Sequence, residues 1–68
     1  MLITIVNLEG RRQSFMLDEC GGVDEGNDGL AILKTDKGDI RTSEQFYIVN
    51  DRLDHLCKLV MDIEDETI

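Results

Sequence analysis

The chain has 68 residues, with fifteen acids against seven bases and a formal charge of −8. This length holds one domain at most, and a domain so small buries only about 60% of the surface its unfolded chain exposes. The charge repels phosphate backbones and anionic lipid heads, which argues against direct binding to nucleic acid or membrane and for a basic protein partner.

An apolar fraction of 41% is enough for a globular core. The aromatic residues are Phe15, Phe46 and Tyr47, so that core must be mainly aliphatic. The apolar start, Leu2 to Leu8, has no basic n-region and is too short to span a bilayer. Two cysteines without a secretory signal point to a cytoplasmic protein with free thiols. A Cys20–Cys57 bridge stays open as the alternative.

LITIVNL, residues 2–8, is rich in β-branched side chains and apolar on both alternating faces. It predicts a strand packed on both sides. A turn around Gly10 leads to a returning strand over about 13–19, where Phe15 and Leu17 share a face, so the two form a hairpin. CGGVDEGNDG, residues 20–29, carries three acids and four glycines and predicts a mobile, solvated connection. LAILKT, residues 30–35, is a third strand. DKG is a turn, and a short fourth strand follows over about 39–42.

The last third changes period. Phe46, Val49, Leu53, Leu56, Val60 and Ile63 recur at heptad spacing. Thr42 with Gln45 has capping-box spacing, and Glu44 suits a first helical turn. These signals predict one helix over about 43–65. FYIV prefers strands, so a strand through Val49 with a helix from Asp51 is the alternative. Asp62, Glu64, Asp65 and Glu66 put negative charge at the wrong end of the helix dipole, which predicts fraying and an acidic tip. The expected fold is α+β: a small antiparallel sheet of about four strands in two hairpins, packed by one long C-terminal helix.

No constellation for chemistry emerges. A calcium loop starting at Asp24 would have Gly26 at its third position and Thr35 at its twelfth, so two ligands are missing. A phosphate cradle needs a helix start or a P-loop lysine after its glycines, and here a strand follows. His55 is the one histidine and is expected to form a surface pair with Asp51. Zinc wants four converging ligands, whereas His55 and Cys57 face apart and no CxxC occurs. The bases form no single patch and carry no aromatic platform. Neither a cofactor nor a metal is expected, and enzyme chemistry is not.

The reading is a non-enzymatic acidic inhibitor that blocks a basic nuclease, polymerase or toxin by offering carboxylates in place of phosphates. It rests on analogy of size and charge with small phage and mobile-element proteins. The expected partner-binding acids are Asp18, Glu19, Asp24, Glu25 and Asp28 in one set. Asp51, Asp54, Asp62, Glu64 and Asp65 form the other. Apolar Ile48, Leu59 and Met61 lie outside the helix seam. They support the alternative, a structural module that homodimerises through the helix.

Overall fold

The computed structural model describes the backbone of residues 1–66 and the side chains of residues 1–63. The architecture is α+β, with five strands in two antiparallel sheets packed against one C-terminal helix. Strands β1 (Leu2–Val6) and β2 (Arg12–Met16) make the first hairpin. A 3-10 turn over Leu17–Glu19 leads into the second sheet. That sheet holds β3 (Cys20–Glu25), β4 (Leu30–Thr35) and β5 (Gly38–Gln45), in the order β3-β4-β5. Helix α1 runs Phe46–Glu66. An isolated bridge between Asn7 and Thr42 joins the two sheets.

Both expected hairpins form, but the returning strand of the first ends at Met16, with Leu17–Glu19 a 3-10 turn, and the stretch 20–29 is not a connection. Its first six residues are strand β3, paired along β4 from Cys20↔Thr35 to Glu25↔Ala31. Only the tip between Glu25 and Leu30 is a turn. Two glycines and two acids lower the strand propensity of these six residues, and β4 overrides it by satisfying the backbone groups. Gly29 sits at the tip with φ +81°, donates its amide to the Gly26 carbonyl and accepts the Phe46 amide. A methyl at Gly29 would meet no neighbour within 4 Å. Gly29→Ala therefore carries only the left-handed backbone cost, about 1 kcal/mol. The unfolding free energy should fall by that amount, seen as a lower urea midpoint with the slope unchanged.

The fold also corrects the first strand. Ile3 and Ile5 are fully buried, whereas Leu2 and Leu8 are exposed. The two-stranded sheet packs on one face only, so only one row of the alternation is covered.

The strand-to-helix boundary lies elsewhere than either expectation. β5 continues through Gln45 and the helix starts at Phe46. Thr42 is not a helix cap. It is buried in β5, where its hydroxyl donates to the Ala31 carbonyl at 2.9 Å and accepts the Glu44 amide at 3.2 Å. It fills a bulge between the pairs Ile32↔Arg41 and Leu30↔Gln45, and such a bulge bends its strand. The helical spacing of Phe46, Val49 and Leu53 then wins over their strand preference, because it buries Val49 and Leu53 in the core.

The core is Ile3, Ile5, Ala31, Leu33, Val49 and Leu53, with Phe15, Leu17, Cys20, Val23, Ile40 and Leu56 packed around it. The helix packs mainly on β3 and β4, with lighter contact to β1 and β5. Cover fades along the heptad seam: Val49 is fully buried, Leu53 is 9% exposed and Ile63 is 55% exposed. The cause is length. A helix of 21 residues spans about 31 Å and a six-residue strand about 20 Å, so the helix outruns the sheet in a molecule 42 Å long.

Candidate functional site

The charged surface is shaped by where the bases are used. On the outer face of the β3-β4-β5 sheet, Lys34 Nζ sits 2.9 Å from Asp39 Oδ2 and 3.5 Å from Asp24 Oδ2. On the helix, Lys58 Nζ meets Asp54 Oδ2 at 3.1 Å. Asp51 and His55, the expected pair, form no ion pair among the described residues.

Arg52 makes the tightest arrangement. Its Nη2 and Nη1 each donate at 2.9 Å to the two carboxylate oxygens of Glu44, and Nη1 also donates to the Thr4 carbonyl at 2.8 Å. Glu44 in turn accepts the Val6 amide at 3.1 Å. This clasp ties β1, β5 and α1 together. The hydrogen bonds from Arg52 hold the Glu44 carboxyl below the ordinary range against the opposing effect of burial, with help from the Val6 amide.

Two of the expected partner-binding acids are thus engaged within the chain through Lys34 and Lys58: Asp24 and Asp54. Asp18, Glu19, Glu25, Asp28, Asp51 and Asp62 have no ion-pair partner among the described residues. Glu64 and Asp65, with the acidic tip, lie outside the described side chains.

The fold groups these acids in a way the sequence hides. The Asp36 amide donates to the Glu19 carbonyl, which sets Asp36 beside the Asp18–Glu19 turn. Asp36 is a residue the sequence reading missed, and its only signal is the β3–β4 register. At the other end of β3, Glu25 and Asp28 stand on the wall of a groove of about 370 Å³. Leu8, Leu30 and Ile32 also line it, with Arg41 on β5. Arg41 and Leu8 were not foreseen, because the groove exists only where the first hairpin meets the second sheet. Its apolar lining and its carboxylates suit the stem and head of a basic side chain.

Asp28 Oδ1 accepts the Leu30 amide at 3.1 Å, so this carboxylate shapes the turn. No group of three or more ligating side chains occurs among the described residues.

The helix leaves a second kind of surface. Ile48, Leu59 and Met61 are exposed, as is Cys57. A largely apolar groove between the helix and the first hairpin is lined by Met1, Met16, Leu17 and Val60, with Asp18. No helix among the described residues is long and apolar enough to cross a membrane. Compared with family models, curated proteins and solved structures, the chain matches none of them.

Proposed function

We propose that this chain is a non-enzymatic acidic inhibitor that covers the basic groove of a nucleic-acid-handling protein such as a nuclease, polymerase or toxin. The observation that supports it most is the distribution of unpaired carboxylates. Lys34, Arg52 and Lys58 each spend their charge inside the chain. Asp18, Glu19 and Asp36 at one end of β3, and Glu25 and Asp28 at the other, are left for a partner. A six-residue strand separates the two ends by about 20 Å, so the carboxylates are offered at spaced points on a rigid support. Such a field speeds encounter with a basic groove and weakens as salt rises.

The test is capture from a nuclease-treated bacterial lysate, followed by affinity measurement on the purified partner. The chain should hold a basic protein at low salt and release it at high salt. Asn or Gln at Asp18, Glu19, Asp36, Asp51 and Asp62 together should weaken that binding by at least tenfold, or about 1.4 kcal/mol. Unchanged affinity would remove the proposal.

The exposed Leu59, Met61 and Ile63 favour a second reading, a homodimerising module. Light scattering separates the two: self-association through apolar surface strengthens with salt, because two copies of charge −8 repel.

A further inference from the structure

Cys20 and Cys57 are far apart in sequence, and the fold brings their two elements together, because α1 packs on β3. The register of β3 shows which side Cys20 takes. Val23 pairs with Leu33, and Cys20 pairs with Thr35, two residues further along β4. Leu33 faces the helix, so Thr35 and Cys20 lie on that same side. A register shift between Cys20 and Gly22 keeps Cys20 there, and Cys20 packs against the core.

The helix starts at the Gly29 end of β4, where the Phe46 amide donates to the Gly29 carbonyl, and it packs on β3 and β4. One helical turn rises about 5.4 Å and two strand residues about 6.6 Å. Val49 and Leu53 share the core with Ala31 and Leu33. The next turn, Leu56 and Cys57, therefore reaches the row of Thr35 and Cys20. The turn after it fixes the alignment, because Val60 lines one groove with Leu17. Leu17 and Cys20 stand three apart across the 3-10 turn, and Cys57 and Val60 stand three apart on the helix. Both spacings put their residues on one face.

From this juxtaposition we infer that Cys20 and Cys57 are a thiol pair that closes to an intramolecular disulfide on exchange with a small disulfide such as oxidised glutathione. Cys57 is exposed and reacts first. Its thiolate attacks one glutathione sulfur, forming a mixed disulfide and expelling one glutathione thiolate. Cys20 then loses its proton to solvent, attacks the Cys57 sulfur and expels the second glutathione. Two electrons and two protons leave the protein thiols, and one glutathione disulfide becomes two glutathiones.

Burial raises the Cys20 thiol above its ordinary value, and the charges of Glu19, Asp18 and Asp36 add to this, with a smaller effect from Cys57 itself. The second step should therefore accelerate as pH rises. The bridge would pin the helix to β3 and close a loop containing the whole second sheet.

The experiment treats the reduced full chain with oxidised glutathione under native conditions, then reads intact mass and the tryptic map. The expected product is a monomer about 2 Da lighter, with Cys20 and Cys57 peptides joined. It should melt on the order of 10 °C higher than the reduced form. Cys20→Ser and Cys57→Ser should each stop at a single glutathione adduct. In denaturant the ratio of bridged to mixed-disulfide chain should fall by on the order of tenfold, because the alignment is gone. Native products dominated by mixed disulfides or by linked dimers would overturn the inference. So would bridging that is equally efficient in denaturant, or a bridged form that melts lower.

Discussion

Replacing Leu33 by alanine is expected to lower the unfolding free energy by about 3 kcal/mol, because it deletes buried methyl groups and leaves a cavity. Leu33 is fully buried on β4, between Val23 on β3 and Ile40 on β5, and it shares the core with Val49 and Leu53 of the helix. A chain of this length has roughly 3–10 kcal/mol to lose, so the substitution should remove a third or more of its stability. Thermal melting should start well below that of the parent, with a drop on the order of 15 °C. Ile32 is the control. It is the neighbouring residue on the opposite face of the same strand, only half-buried beside the groove. Ile32→Ala should cost clearly less, and equal losses would contradict the assignment of the two faces.

Removing the Glu44 side chain should be the most damaging change to a charged residue. Glu44→Ala deletes both hydrogen bonds from Arg52 and strands the Val6 amide. Hydrogen bonds to charged groups contribute about 1.5–3 kcal/mol. Arg52 is a third exposed, so solvent screening reduces the effect, and about 2 kcal/mol is expected. Lys58→Ala breaks an ion pair of similar length on the open helix surface, and it should change stability by less than about 0.5 kcal/mol. Burial, and not distance, separates the two pairs.

The clasp also sets a pH dependence. The folded carboxyl of Glu44 titrates below its unfolded value of about 4.3. A depressed carboxyl stabilises the fold fully above the unfolded value and loses that contribution as pH falls through the folded one. The stability difference between the parent and Glu44→Gln should therefore be constant near neutral pH and shrink below about pH 4. Urea midpoints measured at several pH values check this. A difference that grew on acidification would have the wrong sign.

Periodicity carried much of the fold into view. Apolar runs marked β1 and β4, a shared face of Phe15 and Leu17 marked β2, and the run Leu30–Thr35 matches β4 residue for residue. The heptad run marked the helix, and its spacing was strong enough to outweigh the strand preference of FYIV. These features are local: a face of apolar residues recurs at the period of the element that buries it.

What stayed hidden needed a partner from elsewhere in the chain. β3 has only Cys20 and Val23 packed against the core, beside two glycines, and it becomes a strand only because β4 offers its edge. Thr42 reads as a helix cap until the Ala31 carbonyl takes its hydroxyl. The acids were legible as a count, but which of them remain unpaired was not, since Lys34 reaches Asp24 and Asp39 across strands and Arg52 reaches Glu44 across an element boundary. Asp36 joins Asp18 and Glu19 by register alone. Composition and periodicity settle charge, class and the identity of the strong elements. Pairing between distant segments settles register, the uncovered end of the helix and every grouping of side chains, because those depend on distances that no local pattern encodes.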